Sequence, residues 1–278
     1  MIANNFCFFV CCKMIWNCDN FLYHKSVYFF MYINMWLSST WWNINVILAC
    51  LFIISGVVSL VFYLCEKIKW YSVKMLFIKS FISCMFLFAT IVALYKWGTS
   101  LLFWWFILAW QICSLVWDIW LDLKYLFHGE DSDISTYVWI VSFFVWQLLF
   151  SLGLLFTFWI SFTNILIWIW VWAIGMVTCL IFEKIFNMNY WRFKLSAVIY
   201  SFILFCTIWI SGALVFQNDF SNLCLNTMFV GSILFALSDM VLCWTYFAKW
   251  KETPLNFILN YAFYYSAQFL ISLSVLFL

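Results

Sequence analysis

Eight long apolar runs set the limits on what this chain can fold into. They lie at about 45–65, 75–95, 99–121, 137–160, 163–182, 195–216, 223–247 and 255–278. Each holds roughly 18–25 residues, the length at which a helix crosses a hydrocarbon core of about 30 Å. The runs are continuously apolar and do not alternate with period two, which selects helices over a β-barrel. The breaks between them are short, and none is long enough to hold a soluble domain. Composition agrees: 68% of residues are hydrophobic, only 9% are charged, and there is one Pro in 278 residues. So few charges cannot cover a soluble domain of this size. The expected fold is therefore all-α, a polytopic membrane bundle of about eight transmembrane helices forming a single domain over 45–278.

Residues 1–44 form a less defined lead. Val27–Leu37 is apolar over about half a bilayer, which reads as an interfacial helix and not a span. The opening M-I-A-N-N-F run has no small-residue cleavage site after it and does not read as a signal peptide. Cys7, Cys11, Cys12 and Cys18 are candidates for acylation or are ordinary thiols. The 12 Cys are scattered, mostly in apolar runs and without a C-x-x-C pair, so most read as small buried hydrophobes. No metal site, cofactor or nucleic-acid partner is expected.

Lys and Arg set the orientation. Lys67, Lys69, Lys74, Lys124, Lys184, Arg192, Lys194, Lys249 and Lys251 fall in the odd-numbered connections, against Lys13, Lys25 and Lys96 on the other side. The odd-numbered connections are expected to be cytoplasmic, with both termini across the membrane.

Within the spans a few polar residues stand out. Asp118 lies near the cytoplasmic end of span 3, and Asp239 about two turns from that end of span 7. Lys79 is one turn into span 2, Gln147 lies in span 4, and Tyr264, Tyr265 and Gln268 in span 8. All fall in or near the cytoplasmic half. Ionisable residues inside a membrane are costly and mark functional sites by default, so a polar cavity facing the inner leaflet is expected. Each also has an ordinary reading. Asp118 with Asp122 can form an interfacial edge, and Asp239 can serve as a structural hydrogen-bond partner. Lys79 can snorkel to the surface, and the tyrosines can sit in an aromatic belt. The run Glu130, Asp131 and Asp133 reads as a solvated loop.

The chain also echoes itself. Asp118 to Gln147 spans 147 − 118 = 29 residues, and Asp239 to Gln268 spans 268 − 239 = 29. At the same offset of 121, Leu121, Tyr125, Leu149, Ser151 and Leu152 match Leu242, Tyr246, Leu270, Ser272 and Leu273. Spans 3–4 therefore repeat as spans 7–8, pointing the same way, about an axis near the membrane normal. Such a repeat would place Asp118 and Asp239 in equivalent positions.

The segments G-S-I-L-F-A-L-S-D-M-V-L (231–242) and Y-Y-S-A-Q-F-L-I-S (264–272) resemble the YhhN-like lysoplasmalogenase family of eight-span membrane proteins. S-L-V-W-D-I-W-L (114–121) looks like that family's other Asp-bearing helix, and K-L-S-A-V-I-Y (194–200) is similar to its sixth segment. The resemblance covers about 45–278 and is strongest over the last fifty residues. Three positions depart from it: Trp117 stands where the family has Gly, Ser80 follows Lys79 where it has Pro, and Gln147 takes the place of a common His.

The resemblance implies cleavage of the vinyl ether bond of a lysoplasmalogen to a fatty aldehyde and a glycerophospho-alcohol, glycerophosphoethanolamine or glycerophosphocholine. That chemistry protonates the β-carbon, forms an oxocarbenium ion, adds water and collapses a hemiacetal. One group must give a proton and another accept one, the division of labour of paired carboxylates. Asp118 and Asp239 are the expected catalytic pair. Lys79, Gln147, Tyr264, Tyr265 and Gln268 are the expected substrate-binding residues, with a lysophospholipid and the bilayer as partners. A multi-pass solute or lipid transporter also suits buried carboxylates and a parallel repeat, although 7 Gly and one Pro leave little for broken helices. The three departures also leave room for a non-catalytic homologue.

Overall fold

The computed structural model of the chain describes residues 44–66, 73–93, 101–123, 131–190, 193–248 and 253–278. Contacts divide the chain into two compact units, 1–45 and 46–278, and the architecture below is that of the second. The interfacial helix and cysteines expected in the lead lie outside the described residues.

The described residues form a short 3-10 turn at Val275–Phe277 and eight α-helices, one for each apolar run. They are α1 (Ile44–Glu66), α2 (Val73–Ala93), α3 (Leu101–Leu123), α4 (Asp131–Thr157), α5 (Phe162–Ile185), α6 (Lys194–Gln217), α7 (Leu223–Phe247) and α8 (Pro254–Ser274). Among them α1, α2, α5 and α6, with Leu101–Trp120 of α3 and Leu223–Thr245 of α7, are long and apolar enough to cross a membrane. The apolar stretch of α4 is shorter, Val141–Thr157. α8 is less apolar because it buries a polar stripe that includes Asn256, Asn260, Tyr264, Gln268 and Ser272. The protein is an integral multi-pass membrane bundle.

One expectation is corrected at α4. Asp131 and Asp133, read as a solvated loop, lie in its first turn. The helix therefore starts at the acidic run and not after it.

Side chains close the helix ends. Thr253 Oγ1 accepts from Asn256 N at 3.3 Å, with the chain's single Pro at the start of α8, where a missing N–H costs nothing. Asn222 caps α7 through Leu225 N at 3.2 Å. Gln217, at the end of α6, ties down the α4–α5 turn. Its Oε1 accepts from Ser161 N at 2.8 Å and from Asn164 Nδ2 at 3.2 Å, and its Nε2 donates to Trp159 O at 2.8 Å.

The packing order is a closed ring: α2 on α3, α3 on α4, α4 on α6, α6 on α7, α7 on α8, and α8 back on α2. Reading α2–α3–α4 as one half and α6–α7–α8 as the other, the two joining seams, α4–α6 and α8–α2, exchange with one another. The register agrees, since α2 begins at Val73 and α6 at Lys194, and 194 − 73 = 121. The repeat seen in spans 3–4 and 7–8 thus extends in register and packing order to the helix before each pair. α5 stands outside the ring against α6: only 7% of its apolar window is buried, against 61% for α6. Gly175 permits that approach, because a Cβ there would overlap the Phe205 ring. Between α3, α4 and α7 lies an aromatic core, with ring centroids 5.1 Å apart for Trp110–Trp146, 4.6 Å for Phe143–Trp146 and 5.0 Å for Trp146–Phe235. The last two are edge-to-face, an arrangement that adds to the area the rings bury.

Candidate functional site

Helical spacing builds the first centre. Gln111, Ser114 and Asp118 share one face of α3 at i, i+3 and i+7, while Tyr264, Gln268 and Ser272 share one face of α8 at i, i+4 and i+8. α2 adds Lys79 and Ser83, one turn apart. Asp118 is their meeting point. Lys79 Nζ lies 3.4 Å from its Oδ1, Ser83 Oγ donates to Oδ2 at 2.5 Å, and Tyr264 OH donates to Oδ2 at 3.0 Å. Ser114 Oγ is 2.6 Å from Tyr264 OH, and Gln268 Nε2 donates to Ser114 Oγ at 2.9 Å. With Tyr264 donating to Asp118, Ser114 is left to donate to Tyr264, so every hydrogen in this chain points toward the carboxylate. Lys79 is 1% exposed and Asp118 2%, so Lys79 does not snorkel. Its ammonium also lies 5.5 Å from the Tyr261 ring centroid, within cation–π range. Tyr265 packs beside this centre, its ring centroid 5.0 Å from that of Tyr264.

Asp239 forms a second centre. Tyr200 on α6 donates its hydroxyl to Oδ2 of Asp239. The carboxylate lines a small cavity of about 40 Å³ between α5, α6 and α7, with Phe182, Met188, Tyr190, Phe205, Met240 and Cys243 among its walls. The floor is built from the α5–α6 connection, where Asn187 takes a left-handed φ of 48° and Asn189 N donates to Phe247 O at 2.9 Å. Met188, Tyr190, Ala197 and Ala248 pack there with Phe182, Trp244 and Phe247. The walls are apolar apart from a few groups, Tyr200, Ser201 and Thr178 beside the carboxylate.

Gln147 belongs to neither centre. Its Oε1 accepts from Thr207 Oγ1 at 3.1 Å in the α4–α6 seam, beside Ser151. The structure thus joins Lys79, Asp118, Tyr264 and Gln268 in one network, with Tyr265 packed beside it, and sets Asp239 and Gln147 on other partners. Aromatic rings span the distance between the two carboxylates: Tyr200 to Phe143 at 5.4 Å, Phe143 to Phe235 at 5.9 Å and Phe235 to Tyr264 at 5.9 Å.

Sequence reasoning missed Ser83, Ser114 and Tyr200. The signal for two of them was spacing, since Ser83 lies four residues after Lys79 and Ser114 four before Asp118. The signal for Tyr200 was the repeat, because 79 + 121 = 200. Lys79–Asp118 in the first half and Tyr200–Asp239 in the second are the same pair of positions filled differently. Of the departures, Trp117 is buried with its ring centroid 4.4 Å from that of Phe143, and Ser80 donates to Leu76 O at 2.8 Å. Among the described residues no cluster of His, Cys, Asp or Glu has the make-up of a metal site.

Membrane-crossing helices arranged around two buried carboxylates, one beside an apolar cavity, define a multi-pass membrane protein with an intramembrane polar site. The chain belongs to the YhhN family, whose model matches residues 81–275, well over half of its 278 residues. No curated protein and no solved structure gives a match.

Proposed function

We propose that the chain is a membrane-embedded lipid hydrolase that cleaves the vinyl ether bond of lysoplasmalogens, with Asp239 and Asp118 as its proton-transfer groups. The observation that carries the reading is Asp239, a buried carboxylate in the wall of a small apolar cavity, which a lipid chain would enter by displacing its flexible walls, Met240 and Phe205 among them. In this reading the chain lies along Met240, Phe205 and Phe182, and its vinyl ether meets Asp239. The Asp239 carboxyl gives its proton to the β-carbon, leaving an oxocarbenium ion and a carboxylate. Water adds to the cation and returns one proton, and the hemiacetal breaks to an aldehyde and an alcohol. Catalysis by a positioned acid and base of this kind contributes about 10²–10⁴-fold. Asp118, already paired with Lys79 and accepting two hydroxyl hydrogens, is the member of the pair that holds negative charge. Tyr200 and Tyr264 orient the two carboxyls.

The test is mass spectrometry of a lysolipid panel after incubation with the purified protein in detergent, where no sealed compartment exists. Release of fatty aldehyde from vinyl ether lysolipids, and not from their saturated ether analogues, supports hydrolysis. Binding of lysolipid without turnover in detergent, with movement across a sealed vesicle, supports a transporter in its place.

A further inference from the structure

The two carboxylate sites related by the repeat differ along one line. Beside Asp118 a polar column, built from α3 and α8, runs from Asp118 through Tyr264 and Ser114 to Gln268, with Gln111 and Ser272 above it. Gln111 Nε2 donates to Ser272 Oγ at 2.6 Å, and Ser272 Oγ donates to Gln268 O at 2.8 Å. Beside Asp239 the same line is blocked next to the carboxylate, although farther along it Gln147, Ser151 and Ser232 match Gln268, Ser272 and Gln111. Tyr264 corresponds to Phe143 (264 − 121 = 143), Ser114 to Phe235 (114 + 121 = 235) and Ser83 to Leu204 (83 + 121 = 204). Three hydroxyl-bearing positions beside Asp118 are thus hydrocarbon beside Asp239.

The column also has unfilled hydrogen-bonding capacity. Among the described residues Gln111 Oε1 and Gln268 Oε1 are buried and have no hydrogen-bond partner, and both side chains are 0% exposed. Turning either amide over does not help, because each has only one of its two ends engaged. Leaving such groups unpaired inside a membrane is costly, and a buried site lined by several polar groups is where internal water is held. Two free amide acceptors flanked by the Ser114 and Ser272 hydroxyls give a water molecule the two to four partners it needs. Beyond Gln111 toward the start of α3, Ile107, Leu108 and Phe103 are buried and apolar, so the column ends blind.

We propose that the α3–α8 column is a water-binding site that holds water against the Asp118 network, and that the matching α7–α4 line, plugged by Phe143 and Phe235, delivers no water to Asp239. This deepens the hydrolase reading, on which its use rests: the water that the reaction consumes comes from the Asp118 side, while the lipid chain enters on the Asp239 side.

X-ray radiolytic hydroxyl labelling of the full-length protein in detergent tests this without any activity assay. Hydroxyl radicals made from bound water mark the nearest aromatic ring. Tyr264 is expected to be labelled well above Phe143, its counterpart, although both are buried. Gln111→Leu and Gln268→Leu, each of which removes an unpaired acceptor, are expected to reduce Tyr264 labelling; either one suffices if the other does not fold. Tyr264 labelled no more than Phe143 in the native protein overturns the proposal. If Tyr264 is labelled and no vinyl ether lysolipid is cleaved, the water column stands and the hydrolase reading fails. If lipid is cleaved and Tyr264 is unlabelled, the hydrolase reading stands and the column fails.

Discussion

Lys79→Met removes the cation from a carboxylate that has no access to solvent. At the observed separation of 3.4 Å, two unit charges attract by about 5 kcal/mol at an effective dielectric constant of ~20. Ser83 and Tyr264 would still donate to Asp118, so part of the charge stays solvated by hydroxyls. Breaking a buried pair by removing one partner typically costs about 3–5 kcal/mol, because the other charge is stranded. For a domain near this size, 1 kcal/mol moves the unfolding midpoint by roughly 2–4 °C, so a fall of about 6–20 °C is expected. Asp118→Asn strands the ammonium and is expected to cost a similar amount. The double variant removes both charges and leaves Met beside Asn, so its loss is expected to fall short of the sum by about 2–3 kcal/mol, a coupling typical of residues in contact. The assay is the thermal midpoint of the four proteins in one detergent, read by the fraction that remains monodisperse on size-exclusion chromatography after heating. A Lys79→Met midpoint equal to that of the native protein, or losses that simply add, would refute the ion pair as a structural element.

Tyr200→Phe keeps the ring packed on Phe143 and removes the hydroxyl donated to Asp239. A hydrogen bond to a charged or charging group is worth about 1.5–3 kcal/mol, so turnover is expected to fall roughly 10–100-fold with the midpoint little changed; unchanged turnover would deny Tyr200 its role. Gly175→Val drives a branched side chain into the Phe205 ring, and overpacking of this kind costs about 1–3 kcal/mol, which thermal unfolding would report. Cys243 lines the Asp239 cavity, so saturating lysoplasmalogen is expected to slow its alkylation by a small maleimide, while Cys50, exposed on α1, is unaffected.

The helices were legible because a membrane span is read from length and apolarity alone, and α1 to α8 fall on the eight runs. α4 starts earlier than expected because the apolar pattern gives no weight to carboxylates that favour a helix start. Asp118, Lys79, Tyr264 and Gln268 could be nominated as a group because charge and amide are rare inside hydrocarbon, and the structure joins them. Ser83 and Ser114 could not, since a serine in a span is common and its worth depends on the helix opposite. Tyr200 hid among other aromatics and becomes visible only when the 121-residue offset is carried back to Lys79. Gln147 matches Gln268 in the repeat, but the structure pairs it with Thr207, because the Ser114 and Tyr264 that link Gln268 to Asp118 are replaced at the matching positions by Phe235 and Phe143.

The central claim rests on Asp239, and the most direct measurement is fatty aldehyde release from a vinyl ether lysolipid by the native protein and by Asp239→Asn, both purified in the same detergent and matched in thermal midpoint. Asn keeps the size and polarity of the side chain and removes its capacity to carry a proton. The account predicts a loss of about 10²–10⁴-fold in turnover, the usual contribution of a general acid or base. A well-folded Asp239→Asn protein that releases aldehyde at close to the native rate would contradict it.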